Sequence, residues 1–284
     1  MKSVQKRFPK AFRFFSVVSI ASLTFFPSGV SAESYSILNP TPDAEMREMS
    51  SDRPDITESP ISVPAGRWQV ELSWLDYSID DEGGVETEGL QALQTNLKVG
   101  LDTRTDLQFV FSAYTTEDVR DSAGPDSFAD GFGDVQIRLK YNLWGNDGGD
   151  HALGVIPYIK IPVGGALSND EVEGGVIMPF MLDLGNGWGM GAQAEVDVVY
   201  DDTENDHDVE VLHSIVFGRD LIGDLSFYLE YVGVGGAETD YRALASYGLT
   251  YLWDPETQFD VGFRTGMNDA AEDFGTFFGV ARRF

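Results

Sequence analysis

Apolar and polar residues alternate through most of this chain, and the polar side of the alternation carries charge. The clearest stretch sets Val135, Ile137, Leu139, Tyr141 and Leu143 against Asp134, Gln136, Arg138, Lys140 and Asn142. Successive side chains of a strand point to opposite faces, so this stretch has one apolar and one charged face. A strand of a soluble sandwich can alternate too. In a transmembrane barrel the charged face must point into a polar lumen and the apolar face towards lipid.

The same pattern recurs along the chain. Trp68, Val70, Leu72 and Trp74 oppose Gln69, Glu71 and Ser73; Leu97, Val99 and Leu101 oppose Asn96, Lys98 and Gly100; Leu107, Phe109, Phe111 and Ala113 oppose Gln108, Val110 and Ser112. It continues over 152–163, 172–184, 188–200, 209–217, 225–234, 241–253, 259–267 and 274–284. These stretches make twelve strands, an even number, each about 9–13 residues, the length that crosses a bilayer at a steep tilt. The expected fold is therefore all-β: a transmembrane antiparallel up-and-down β-barrel of twelve strands.

The connections sort by strand parity. Those after even strands are tight and rich in turn residues: 102–105, 145–149, 185–187, 221–224 and 254–257. Those after odd strands are expected to be longer and acidic: 80–89, 116–132, 164–171, 201–208, 235–240 and 268–273. Outer-membrane barrels keep short turns in the periplasm and long loops outside. Aromatic residues sort the same way. Trp68, Trp144, Trp188, Trp253, Phe259 and Phe284 map to the periplasmic rim, and Tyr77, Tyr114, Tyr200 and Tyr241 to the outer rim, as two interfacial girdles. The run 274–284 reads as a last strand that closes on the first and removes both edges. Its Phe284 is the expected handle for the barrel-assembly machinery.

Residues 1–32 have the form of a secretory signal: five cations, an apolar run over 14–26, then Val30-Ser31-Ala32 before Glu33. Removing Lys2, Lys6, Arg7, Lys10 and Arg13, with no acid among these residues, takes the formal charge from −28 to −33. That acidity excludes nucleic acid as a partner, because phosphate binding needs Lys and Arg clusters. The absence of cysteine excludes a disulfide framework. Residues 33–65 read as an irregular periplasmic segment before a barrel over 66–284. Proline pushes the residue before it towards extended geometry. Residues 51–60 therefore read either as a linker or as a strap lying across or inside the barrel mouth.

Two motifs, Ser-Asp-Arg-Pro-Asp-Ile-Thr-Glu-Ser-Pro over 51–60 and Val-Pro-Ala-Gly-Arg-Trp-Gln-Val-Glu over 63–71, carry a resemblance. So do the stretches 131–143, 156–164 and 259–268. Together they resemble a family of outer-membrane transporters named for the meta-cleavage pathway of phenol degradation. The resemblance covers nearly the whole chain after the leader. It implies an outer-membrane barrel that takes up aromatic or other hydrophobic compounds. Arg282, at a parity where the family has an apolar residue, and the acidity of the loops depart from that pattern.

Catalysis finds little support in the residues. There are three histidines, and His213 shares parity with Val211, Ile215 and Phe217, so it faces away from its neighbour Ser214. The candidate functional residues lie on the inward parity: Lys98, Arg138, Lys140, Lys160 and Arg264 against Glu195, Asp197, Glu230 and Asp260. They line either a constriction that selects polar or anionic solutes or a salt-bridged plug. Pro157, Pro162 and Pro179 remove ladder donors in neighbouring strands, which marks either bulges or a lateral seam for apolar cargo. The acidic loops 80–82 and 201–208 lack the ordered spacing of a calcium loop, so neither a metal nor a cofactor is expected. The expected partners are outer-membrane lipid, lipopolysaccharide and small solutes. The function expected is passive or facilitated uptake of small molecules. The alternative is a non-conducting structural or adhesive barrel working through its acidic loops.

Overall fold

A computed structural model of the protein describes residues 35–201, 205–237 and 239–284. The leader expected over 1–32 lies outside them. The strands are β1 (Trp68–Glu82), β2 (Val85–Gly100), β3 (Thr105–Asp121), β4 (Ser127–Gly131), β5 (Val135–Trp144), β6 (His151–Ile161) and β7 (Glu173–Gly185). They continue with β8 (Trp188–Asp201), β9 (Asp206–Ile222), β10 (Leu225–Gly236), β11 (Arg242–Asp254), β12 (Thr257–Gly266) and β13 (Phe274–Arg283).

Each strand pairs antiparallel with its neighbour in sequence, with one interruption. Both β4 and β5 lie along β3, so they form one broken strand. The ring closes where β1 meets β13, from Gln69↔Arg283 to Ile79↔Phe274. The result is a closed twelve-stranded barrel in which the first and last strands cover each other's edges, while the short β4 pairs on β3 alone. Trp68 and Phe284 seal the seam by exchanging backbone hydrogen bonds of 2.7 and 3.3 Å.

The burial pattern is inverted relative to a soluble domain. Lys98, Lys140, Asp106, Gln108 and Asn142 are at most 1 % exposed, whereas Leu139, Tyr141, Val196, Val211, Leu229 and Phe278 are exposed. Apolar side chains on the outside and polar ones inside are what a bilayer demands of a spanning barrel. Trp68, Trp144, Trp253, Phe259 and Phe284 all stand exposed near the short-turn end.

Three connections expected as long loops are instead largely extensions of the sheet; over 201–208 the β8–β9 ladder runs on to Asp201↔Asp206. The connection over 80–89 shrinks to a tight turn at Gly83 and Gly84, both with positive φ (62° and 89°), between β1 and β2. Consecutive residues at positive φ give the turn whose twist matches a hairpin, and Gly-Gly adopts it without strain. The connection over 116–132 is likewise shortened by β3 and β4, which pair from Thr115↔Gly131 to Val119↔Ser127.

The strand faces also switch partway along. The β1–β13 register slips by one residue between Ser73 and Leu75, and Leu93 of β2 sits at φ 56° beside this level. An extra residue in one strand shifts which side chains point inward beyond it. Asp76 and Ser78 consequently face the lumen, although the spacing from Ser73 places Asp76 outside.

Candidate functional site

The lumen is crossed by the chain's own N-terminal segment. Ser36 bridges Asp102 and Ala65 bridges Gly100. Arg47 donates to the carbonyls of Thr103 (3.0 Å) and Asn146 (3.3 Å), so the segment meets the barrel at its short-turn end. Pro54, Pro60 and Pro64 deny it a regular backbone ladder, and its path bends at 54–57 and again at Pro60. Its buried N–H groups must then find other acceptors, and inward side chains of the wall supply them. Asp52 N–H donates to Glu71 (3.2 Å), Ile56 and Thr57 N–H to Glu230 (2.9 and 2.7 Å), and Glu58 N–H to Gln193 (2.7 Å). Further along, Ser62 N–H donates to Asn146 (3.0 Å) and Val63 N–H to Asp106 (2.9 Å).

The wall is shaped to receive the segment. A Cβ on Gly154 would stand 3.1–3.4 Å from Pro60, and one on Gly191 would meet Thr57 at 3.1 Å. At Gly154 the absence of a side chain lets two backbones approach closely, and at Gly191 it leaves room for the Thr57 methyl group.

Charge fixes the segment further. Asp52 lies between Lys98, with which it makes a short contact, and Lys140 at 2.6 Å; Lys98 also holds Glu71 at 2.5 Å. All four side chains are nearly inaccessible to solvent. Burial opposes ionisation of Asp52, but the Lys140 and Lys98 ammonium groups overcome it and hold its carboxyl far below the ordinary value. Arg53 grips Asp260 through Nε (3.0 Å) and Nη2 (2.6 Å), and its Nη1 donates to Ser73 Oγ. Glu58 pairs with Arg138 at 2.5 Å. Burial and the adjacent Asp52 charge nevertheless push the Glu58 carboxyl up to about 8. Asp55 has no such cation, and burial with the nearby Glu230 charge holds its carboxyl well above the usual range.

The inward residues expected from the sequence therefore fall into two groups. Lys98, Arg138, Lys140, Glu230 and Asp260 all bind the segment. The others pair within the wall. Lys160 contacts Glu173 (2.6 Å) and Asp134 (3.4 Å), and Asp197 accepts from Tyr158 (2.6 Å). Glu195 accepts from Gln193 (2.8 Å), and Arg264 contacts Asp76 (2.6 Å) and Glu272 (2.5 Å). The expected opposition of wall cation to wall anion across the lumen is thus replaced, at its centre, by opposition of both to the segment. The residues the alternation did not reveal are the segment's own: Asp52, Arg53, Thr57 and Glu58. The only sequence signal for them is the density of charge and proline over 51–60.

The proline positions coincide with gaps in the ladder. The β5–β6 pairs pass from Arg138↔Tyr158 to Tyr141↔Val155 across Pro157. The β6–β7 pairs pass from Leu153↔Phe180 to Ile156↔Ile177 across Pro179. Pro157 is exposed and Pro179 buried, on opposite faces of the wall, and Pro162 lies just past the end of β6.

Three cavities remain around the segment. One of about 720 Å³ opens towards the long-loop end, bounded by Asp76, Asp80, Glu117, Leu167, Arg242 and Arg264. One of about 680 Å³ lies towards the short-turn end, bounded by Asp55, Met181, Asp183, Val216, Asp220 and Tyr228. A third of about 200 Å³ lies between them. It shares Ile56, Asp76, Gln94 and Arg264 with the first and Arg53, Pro54, Asp55 and Glu58 with the second.

The histidines stand apart from these cavities. His213 is exposed, stacked on Tyr241 and within 3.1 Å of its hydroxyl. Its neighbour Ser214 is buried and meets Thr57 Oγ1 at 2.6 Å. His151 is exposed between Trp144 and Phe180, and exposed His207 contacts the Val172 carbonyl.

A closed barrel with an apolar outer belt, a charged lumen and an internal N-terminal segment defines a β-barrel of the outer-membrane type. The chain belongs to the family described as "Putative MetA-pathway of phenol degradation", whose model matches residues 51–284 and so takes in the lumenal segment. No curated protein matches it. Among solved structures it is similar to an outer membrane channel from Pseudomonas putida F1. Identity there is 16 %, over 83 % of this chain and 100 % of that one, with a TM-score of 0.59, a likeness of fold. It is also similar to the beta domain of the Bordetella autotransporter BrkA (14 % identity, 77 % and 98 % covered, TM-score 0.49). A third is the NanC porin (11 % identity, 76 % and 98 % covered, TM-score 0.47).

Proposed function

We propose that this protein is an outer-membrane channel for small solutes, with residues 51–60 as a fixed constriction inside the barrel. The observation that carries this reading is the row of three cavities, which share walls from one end of the lumen to the other. A barrel that serves only as a filled scaffold has no need of them. Family membership supports solutes of aromatic or otherwise hydrophobic kind. In this reading residues 1–32 are a cleaved leader, 33–65 enter from the periplasm and 66–284 form the barrel. Lipid and lipopolysaccharide surround it, Phe284 engages the assembly machinery, and it performs no catalysis. The gaps at Pro157 and Pro179 are either bulges in the wall or a separate, lateral exit for apolar solutes.

One observation favours the alternative of a non-conducting barrel: the buried Asp52–Lys98–Lys140–Glu71 cluster closes the lumen at its own level. Planar-bilayer recording on the refolded protein separates the two. Discrete conductance steps belong to a channel and a silent, correctly folded barrel to a scaffold.

A further inference from the structure

The charge balance along the lumen goes one step beyond the channel reading, on which it rests. Arg53, Arg138, Lys140, Lys160, Arg242 and Arg264 each lie within 3.0 Å of a carboxylate oxygen, and Lys98 holds two carboxylates. Each of these cations is thus hydrogen-bonded to a carboxyl group where it stands. The carboxylates outnumber them. In the outer cavity four carboxylates, Asp76, Asp80, Glu117 and Glu272, face two guanidinium groups. Both of those are already committed, Arg264 to Asp76 and Glu272 and Arg242 to Glu210. Asp80 and Glu117 are left over.

The inner cavity has a different wall, and its own cation, Arg219, lies over the Trp188 ring at 5.0 Å from the centroid. Asp183 and Asp220 stand at its mouth and Asp55 at its inner end. Between them lie Met181, Val216 and the ring of Tyr228. Tyr228 is 5 % exposed, and its hydroxyl is occupied by Ser246 at 3.1 Å. A chamber of about 680 Å³ with two carboxylates at its mouth and an aromatic and thioether wall behind them has the chemistry that receives an organic ammonium ion. Rings of carboxylates select cations in pores, and a low-dielectric wall strengthens their field. Apart from Arg219, a solute carboxylate finds no uncommitted cation among the lumenal ones named above.

We infer that the lumen selects positively charged over negatively charged solutes, and that the inner chamber takes small organic ammonium ions and rejects aromatic carboxylates. The inference reverses the anion preference that the inward cations suggest when read without their partners.

The test uses the refolded mature protein in a planar bilayer under a KCl gradient, with the Asp80→Asn/Glu117→Gln variant beside it. The expected result is a reversal potential of cationic sign, K⁺ several-fold more permeant than Cl⁻, with the ratio reduced in the variant. Preference for Cl⁻, or no preference, overturns the inference while leaving the channel intact. Calorimetric titration with phenethylammonium and with benzoate covers a barrel that proves silent. Binding of the ammonium and not the benzoate, lost in Asp183→Asn/Asp220→Asn, upholds the chamber's specificity while the channel reading fails. Equal binding of both, or of neither, overturns the inference.

Discussion

Arg53 and Asp260 are separated by 207 positions in sequence and joined by two hydrogen bonds, of 3.0 and 2.6 Å, inside the barrel. The guanidinium fork matches the carboxylate in a way an ammonium cannot. Arg53→Lys should therefore loosen the segment even though charge is kept. Arg53→Ala, which leaves Asp260 buried and unpaired, should cost its seating about 3–5 kcal/mol. Amide hydrogen exchange over 51–60 reads both effects: protection falls modestly in the first variant and steeply in the second. Equal protection in all three proteins would show that the grip does not hold the segment.

Lys98→Met tests the buried cluster. It removes a cation from between Asp52 and Glu71 and leaves two acids in a site that is nearly inaccessible. Breaking one partner of such a pair costs about 3–5 kcal/mol. The double variant Glu71→Gln/Lys98→Met, which leaves Asp52 paired with Lys140, should recover most of the loss. Denaturant midpoints in detergent micelles measure this, and the absence of recovery would assign the loss to packing.

The seating of the segment should weaken as pH rises. Glu58 has its carboxyl raised from 4.5 to about 8 when buried in the lumen. A raised carboxyl binds its proton more tightly in the seated state. Its contribution is thus complete below about 4.5 and is lost as pH climbs through about 8. Exchange protection over 51–60 should drop across that window. Glu58→Gln, which cannot ionise, should abolish the Glu58 component of that drop. A drop of the same size in Glu58→Gln would assign the effect to another group.

Filling the space beneath the segment gives an independent test. A leucine at Gly154 places atoms where Pro60 lies, since even a Cβ there would stand 3.1–3.4 Å from that proline. Overpacking of this kind costs about 1–3 kcal/mol. Gly154→Leu should raise single-channel conductance by displacing the segment while leaving the barrel's far-ultraviolet spectrum unchanged.

Much of this architecture was legible in the sequence, for a definite reason. A strand half in lipid and half in water writes its environment into alternate residues, so Leu139 and Lys140 announce their faces without any partner being known. The short turns and the rim aromatics follow from the same geometry. The bulge beside Trp74 and Leu75 was not legible, because one extra residue leaves no mark except a change of parity. Nor was the clamp of Arg53 on Asp260. The segment over 51–60 has no periodicity, and its backbone is satisfied by side chains such as Glu230 and Gln193 that lie far away in sequence. Parity assigned Lys98 and Asp260 to the lumen; only the three-dimensional path of the segment shows what they hold.

The central claim is that solutes pass the segment inside this barrel. Single-channel recording of the mature protein, and of a variant with Arg53 and Asp52 both replaced by alanine, tests it most directly. The account predicts small discrete steps in the first and larger ones in the second, as the constriction loosens. A correctly folded barrel that is silent in both forms would contradict it.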